Sequence, residues 1–331
     1  MSPSRHRRRL RHELRDTAGA VRYFLRTERA LDVAFRSPSM LARGFHSDRR
    51  WLLPEGASRR TGYIADLPYA RVAHRMNPDA LQELLTDKTA FAAALADRGL
   101  VDAAPRTLGT LRGGRWQITP GARGPCVAKP TGGSGGRGVR RFDDVPAAVA
   151  ATDLSTDHLL QEAVRQHPGS AALWPGSLNT VRVLAVRTAD GRVVLPSAVQ
   201  RVGRSTTGAV DNYSSGGMVV PVDPADGVLG PVMSRVRRPG RVLFEDHPET
   251  GVRITGRTVP CWRDLVALVH RLMDAFPDAV HVGWDMAVSE DGPVVVEGNA
   301  RFVGVKLYQL HGPFTHDPGV REFYRSHGLL P

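Results

Sequence analysis

The stretch that most restricts how this chain can fold is HVGWDMAVSEDGPVVVEGNA, residues 281–300. It holds two apolar, β-branched runs around a Glu-Asp-Gly turn, the pattern of an antiparallel hairpin. Side chains alternate across a strand, so Val282, Trp284, Met286 and Val288 share one face while Gly283, Asp285 and Ala287 share the other. On the return strand Val295, Glu297 and Asn299 lie together, opposite Val294, Val296 and Gly298. A three-residue loop, Glu290-Asp291-Gly292, sets Asp285 directly across from Glu297. An Asp, a Glu and an Asn then converge on one face of a hairpin whose other face is apolar. Two carboxylates and an amide oxygen, without His or Cys, form a hard-oxygen set suited to Mg²⁺, or Mn²⁺, holding a nucleotide's phosphates.

A second signal lies upstream in CVAKPTGGSGGRGVRRF, residues 126–142. Residues 132–138 contain five glycines in seven positions, directly after a short strand pattern that carries Lys129. Gly133, Gly135 and Gly138 satisfy G-x-G-x-x-G, but a dinucleotide fold needs a helix after that motif, and GVRRF reads as a strand. No Gly-Lys-Ser/Thr closes a P-loop, and the lysine precedes the glycines, the reverse of a protein kinase. What remains is a strand–loop–strand flap whose backbone N–H groups can close over phosphates. Only three of the 45 Lys and Arg residues are lysine: Lys88, Lys129 and Lys306. In so arginine-rich a chain, a retained lysine marks a place where a compact ammonium is wanted.

The rest of the sequence reads as α+β with antiparallel pairs, not as the strand–helix alternation of a doubly wound sheet. TDKTAFAAALADRGL predicts a helix with Thr86 or Asp87 as N-cap and Gly99 as stop. VDAAPRTLG, residues 101–109, reads as extended, DDVPAAVAAT as a helix and HLLQEAV as a strand. Residues 177–203 form a hairpin around Ala189-Asp190-Gly191, and WRDLVALVHRLMDAF is an amphipathic helix. Four regions follow: a basic, mostly helical segment (1–60), a region containing the Lys88 helix (61–124), the glycine flap and hinge (125–163), and a C-terminal subdomain with the carboxylate hairpin (164–331). Residues 1–60 hold fifteen Arg against six acidic residues, +9 of the net +12. Leu10, Val21, Phe24, Leu25, Leu31 and Val33 recur there at threes and fours, as in a basic helix docked on its own core. The same composition can bind nucleic acid or an anionic membrane surface. No apolar run approaches a membrane span, and the arginine-rich start is followed by no apolar stretch, so it is no secretion signal. Cys126 and Cys261 have no metal spacing and read as buried thiols. The expected location is cytoplasmic.

Together these pieces resemble the ATP-grasp superfamily. The likeness is closest to its sugar-transfer-associated group, through SLNTVRV, DNYSSGG, HPETG and GWDMAV…VVVEGNA over residues 75–315. The resemblance implies two antiparallel-sheet subdomains gripping ATP, preceded here by a short, basic, helical N-terminal segment. It implies that Lys88 and Lys129 hold the nucleotide phosphates and that the flap includes Gly133, Ser134, Gly135, Gly136 and Gly138. Gln161, Glu162 and the backbone of Ala163 would meet the adenine edge. Arg182 and Lys129 would face the transferring phosphoryl group, and Asn212 with the amides of Gly216 and Gly217 the acyl phosphate or acceptor. Asp285, Glu297 and Asn299 would bind Mg²⁺. Lys306 is a further substrate-contact candidate; Arg201, Arg204 and His247 are candidate substrate contacts too, but read more as structural or surface residues.

The implied reaction is an ATP- and Mg²⁺-dependent carboxylate–amine ligation through an acyl phosphate, forming an amide. A kinase that stops at phosphoryl transfer is the alternative, and a basic nucleic-acid- or membrane-binding protein on a vestigial nucleotide fold is the third reading. The partners implied are a small carboxylate and an amine acceptor. A carrier-bound or tRNA-bound substrate would account for the basic N-terminus.

Overall fold

The computed structural model describes residues 3–31, 36–54, 56–132, 136–208, 210–234 and 242–331, with residues 3–16 as backbone only. Helices come first: α1 (Pro3–Ala30), α2 (Pro38–Ala42), α3 (Arg49–Leu52), α4 (Asp66–Val72), α5 (Asp79–Thr86) and α6 (Lys88–Asp97). A first sheet takes β1 (Thr107–Arg112), β2 (Arg115–Ile118), β3 (Cys126–Pro130), β4 (Arg140–Phe142) and, after α7 (Val145–Ala151), β5 (His158–Glu162). Beyond α8 (Pro168–Ala171) run β6 (Val181–Arg187), β7 (Val193–Val202), β8 (Met218–Val222), β9 (Val232–Ser234) and β10 (Leu243–Phe244). The helix α9 (Trp262–Ala275), the hairpin β11 (His281–Ser289) and β12 (Gly292–Asn299), then α10 (Val305–Tyr308) and α11 (Pro318–Ser326) follow.

Two antiparallel sheets result, ordered β2-β1-β5-β3-β4 and β10-β9-β8-β7-β6-β11-β12. This is the α+β, two-sheet arrangement expected. Residues 101–109 are less extended than expected: Val101–Ala103 is a 3₁₀ turn, and Thr107 starts a hairpin with β2. Gly113 and Gly114 close that hairpin at φ of 53° and 76°, the positive pair that a tight two-residue turn requires.

The larger sheet is covered on both faces because its strands alternate into two cores. Along β6, Val181, Val183 and Ala185 enter one core, while Leu184 and Val186 enter the other. The first core receives Leu85 from α5, Phe91 and Leu95 from α6, and Leu265, Val269, Leu272 and Met273 from α9, all buried against Trp284, Met286 and Val288. The second core is built from two distant segments, one with Phe45, Ile64 and Tyr69, the other with Tyr308, Phe314 and Tyr324. Arg59 Nε donates to Leu329 O at 2.7 Å, and Ile64 and Gln309 exchange two hydrogen bonds. The division expected at residues 60/61 therefore passes through one packed layer.

Of the N-terminal apolar stripe, Phe24 is buried and stacks on His46 at 4.2 Å, so α1 does dock on the core. Glu28, also buried, accepts from Ser47 N and Ser47 Oγ. Leu25, placed in the stripe by its spacing, is instead 47% exposed. The side chains of Leu10 and Val33 lie outside the described residues. Cys126 is buried as expected, but Cys261 is exposed, at the N-cap of α9 with φ of 52°. No helix is long and apolar enough to cross a membrane among the described residues.

Candidate active site

The carboxylate hairpin is the part of the site most directly set by the sequence. Asp285 does pair with Glu297, and Gly283 with Asn299. The route differs from the expected three-residue loop: Ser289 pairs with Gly292, leaving a two-residue turn, and a bulge between Asp285 and Met286 restores the register. The extra residue also turns Val295 away from Glu297 and into the core beside Met286. Asn299 donates its side-chain NH₂ to Gly283 O at 3.2 Å, which leaves Oδ1 as the end with acceptor capacity.

Asp285 is 1% exposed and lies between two arginines. Arg182 donates from Nε to Oδ1 and from Nη2 to Oδ2, both at 2.6 Å, a bidentate fork. Arg201 Nη2 adds a bond to Oδ2 at 3.1 Å. Burial alone would raise the Asp285 pKa, but the two guanidinia hold it well below the ordinary carboxylate range. Arg182 Nη2 also lies 3.7 Å from Glu297 Oε1. Burial and the charge of Asp285 push the Glu297 pKa up, against the pull of Arg182 and Lys88. The two carboxylates are thus distinct: Asp285 is charged and neutralised, and Glu297 wants a further cation.

Arg201 was expected to be structural or at the surface, and it is structural in a way that bears on the site. It is buried, donates from Nε and Nη2 to Thr180 Oγ1, and lies 3.5 Å from Asp211 Oδ1. Asp211 Oδ2 accepts from Thr180 N at 2.7 Å and from Thr180 Oγ1 at 2.5 Å. Asp211, the first residue of DNYSSGG, therefore anchors its loop to the strand bearing Arg182. Sequence spacing could not reveal this, because it depends on how β6, β7 and β11 are placed side by side.

The smaller sheet supplies the opposite charge. Cys126 and Ala128 of β3 enter a small core with Leu108, Val145, Ala148 and Leu160, so Lys129 falls on the other face. Lys129 Nζ donates to Gln161 Oε1 at 2.9 Å, and Gln161 Nε2 to Pro105 O at 3.0 Å. Burial lowers the Lys129 pKa to about 8, with nearby Glu297 opposing the shift and Lys88 adding to it. Lys88 begins α6, which Asp87 caps by accepting from Thr89 N and Ala90 N. The Lys88 amide donates to Thr131 O at 3.2 Å, joining α6 to the flap strand. Lys88, Lys129 and Glu297 are in this way brought together from a helix and both sheets.

The Lys129 shift has a testable sign. An unfolded chain keeps that proton to about pH 10.5, whereas the folded chain releases it near 8. The nucleotide-free protein should therefore gain stability as pH rises from about 8 toward 10.5, and lose that gain as pH falls back through 8. Melting temperatures of wild type minus Lys129→Met, taken across this window, should rise with pH. A flat difference would place Lys129 in water.

The other candidate residues make contacts within the fold. Ala163 N–H, expected at the adenine edge, donates to Pro125 O at 2.9 Å, because the β3–β5 ladder continues past its last strand residue. Glu162 is exposed and pairs with Arg106. The amides of Gly216 and Gly217 donate to Tyr213 O and Asn212 O, closing their own turn instead of pointing outward. Asn212 Oδ1 accepts from Ser214 N. Lys306 Nζ lies 5.9 Å from the Tyr213 ring centroid. His247 is fully buried, bonded to Gly203 O and stacked on Trp174, and Arg204 pairs with Glu249 of HPETG. Gly133, Ser134 and Gly135 lie outside the described residues. Gly136 has φ of 72°, and a Cβ there would stand 2.7 Å from Val210 Cγ1, so Gly136 rests on the loop that Asp211 anchors. Gly138, at φ of 75°, packs on Pro130. A cleft of about 440 Å³ opens beside these elements, lined by Thr131, Gly132, Asp87 and Arg301 among others.

Residues 144–315, just over half of the chain, match the family described as sugar-transfer associated ATP-grasp. The chain belongs to that family. This ATP-grasp protein is also similar to solved structures. One is an N5-carboxyaminoimidazole ribonucleotide synthetase from Thermotoga maritima, at 14% identity over 77% of this chain and 52% of that one, with a TM-score of 0.42. Another is a D-Ala:D-Ser ligase from Enterococcus faecalis, at 11% identity over 76% and 64%, with a TM-score of 0.45. A third is a biotin carboxylase from Campylobacter jejuni, at 10% identity over 75% and 47%, with a TM-score of 0.44. The ATP-grasp protein thus spans between 47% and 64% of the length of these structures. No curated protein matches it in sequence.

Proposed function

We propose that the protein is an ATP- and Mg²⁺-dependent ligase that activates a carboxylate as its acyl phosphate and passes it to an amine. The observation that carries this reading is the meeting of Lys129 and Lys88 with Glu297, Asn299 and the Asp285-held Arg182. A half-buried lysine with a lowered pKa gains most from an anion, and a carboxylate with a raised pKa gains most from a cation. A metal–triphosphate supplies both.

The donor set fits Mg²⁺. Among the described residues no three His, Cys, Asp or Glu side chains converge as a ready metal cage. Mg²⁺ is commonly held by one or two carboxylates plus substrate phosphates. Glu297 and Asn299 are the ligands with capacity to spare. Asp285, with three of its roughly four lone-pair positions already accepting from arginine, serves first to fix Arg182. When bound, the metal would neutralise charge on the triphosphate. Lys88 and Lys129 orient and neutralise the phosphates, and Arg182, rigid in its fork with Asp285, meets the transferring phosphoryl group. The substrate carboxylate oxygen bonds to the γ-phosphorus as the bond to the β-phosphate oxygen breaks, releasing ADP. The amine nitrogen then attacks the acyl carbon, the bond from that carbon to the phosphate oxygen breaks, and the nitrogen gives up one proton as phosphate leaves. Acyl phosphates hydrolyse, so a glycine-rich flap at this site has water to exclude.

The test is to incubate the protein with ATP and Mg²⁺ against panels of acids and amines and to identify the products. ADP and phosphate released together with an amide, only when both substrates are present, support ligation. A stable phosphorylated product with no dependence on amine would make the protein a kinase.

A further inference from the structure

Among the described side chains, Arg22, Arg26 and Arg29 of the basic N-terminal segment take no part in the site described above. On α1, Ala20, Phe24 and Glu28 face the core, and the opposite face presents Arg22, Arg26 and Arg29, all exposed and one helical turn apart. Apolar side chains flank this row on both sides. Leu25 is 47% exposed, and Tyr23, 41% exposed, stacks on the 44% exposed Phe302 with ring centroids 5.5 Å apart and planes 18° from parallel. The Arg301 guanidinium lies 5.9 Å from the Phe302 ring centroid, and the same Arg301 lines the cleft. The arginine face and the rim of the cleft are therefore one continuous surface. Six further arginines precede Arg22 within α1.

We propose that this surface docks on an anionic phospholipid bilayer, with the cleft opening beside the membrane. Guanidinium groups match lipid phosphates, and aromatic rings with a neighbouring aliphatic side chain match the boundary between headgroups and acyl chains. A nucleic acid would offer phosphates to the same arginines. It has no apolar layer for Leu25, and one face of each ring that could take a base is already covered by the other ring. Docking here places a membrane-borne acid or acceptor within reach of the cleft, while the docking itself requires neither ATP nor ligase activity.

The experiment is co-sedimentation of the full chain with vesicles of phosphatidylcholine alone and of phosphatidylcholine with phosphatidylglycerol in equal parts. Thermal unfolding of each variant, with and without an ATP analogue and Mg²⁺, separately reports folding and the nucleotide site. Wild type should partition onto the anionic vesicles only, with an affinity that falls as salt rises. Each arginine lost should weaken partitioning about fivefold, and the triple change Arg22→Gln, Arg26→Gln, Arg29→Gln about a hundredfold. Tyr23→Ser with Phe302→Ser should weaken it severalfold while leaving the salt dependence unchanged. Wild type that stays off anionic vesicles, or a triple variant that binds them as wild type does, would overturn the proposal. So would tighter binding to duplex RNA than to vesicles at equal salt, lost in the same triple variant, which would assign the face to nucleic acid.

Discussion

Asp285→Ala should lose about 3–5 kcal/mol of folding stability, as expected when one partner of a buried ion pair is removed and the other is left uncompensated. The loss is large because two arginines depend on this carboxylate. Arg182 is held by it in a bidentate fork, and Arg201 reaches its second oxygen at 3.1 Å. Against a typical total of about 5–15 kcal/mol, such a variant is marginal at best. Denaturant titration measures the effect directly. A second substitution, Arg182→Leu in the same chain, should restore part of the loss, since an apolar pair is often tolerated where a half-pair is not. Asp285→Ala within about 1 kcal/mol of wild type would mean that the guanidinia find water or other partners, and that Arg182 is not fixed as the mechanism requires. The sign with pH is also determined. The Asp285 pKa is lowered on folding, so its contribution is present above the ordinary value of 3.8 and is lost only as pH falls through the lower folded value. Mild acid should leave the fork intact.

Glu297→Gln should abolish binding of the metal–nucleotide pair while leaving the fold at least as stable as before. Wild type at a nucleotide concentration about 100 times Kd should gain about 2.7 kcal/mol, seen as a rise of several degrees in melting temperature. That gain should need ATP analogue and Mg²⁺ together, and EDTA should remove it. In the variant it should disappear, because the amide supplies no charge to the metal. The apo variant keeps its shape and sheds both the cost of burying a charge and the repulsion from Asp285, which together raise the Glu297 pKa. A raised carboxylate pKa contributes stability below the unfolded value of 4.5, lost as pH rises through the folded value. Metal binding needs the ionised form, so it should strengthen over that same rise. Equal ligand-induced stabilisation in wild type and Glu297→Gln would take Glu297 out of the site.

Local patterns were read well from the sequence wherever one strand or helix carries its own signal. Period-two alternation placed Asp285 opposite Glu297, and the capping signal narrowed the start of α6 to Thr86 or Asp87, of which Asp87 is the cap. Alternation could not show that a bulge, not a third loop residue, sets the register, since both give the same pairing at Asp285. It therefore misplaced Val295. The Gly113-Gly114 pair is itself a hairpin signal. What the sequence left hidden is mostly non-local. Arg201 on β7 meets Asp285 on β11 across the intervening β6, and the amides of Gly216 and Gly217 are already satisfied within their own turn. Motif matching names such residues but does not say whether their donors face inward or outward.

The layer shared by distant segments also governs the order in which the molecule can be completed. Its hydrogen bonds join residues 245 to 270 positions apart, Ile64 with Gln309 and Arg59 with Leu329. During synthesis the early segment emerges long before its counterpart, at a ribosomal pace of about 5–20 residues per second. For tens of seconds, Phe45, Ile64 and Tyr69 have nothing to close against, and the sheet they will cover has not yet been made. Such long-range closure slows folding and lengthens the exposure of sticky surface. A nascent chain of this protein is thus a natural client for a holding chaperone until its last helices are released.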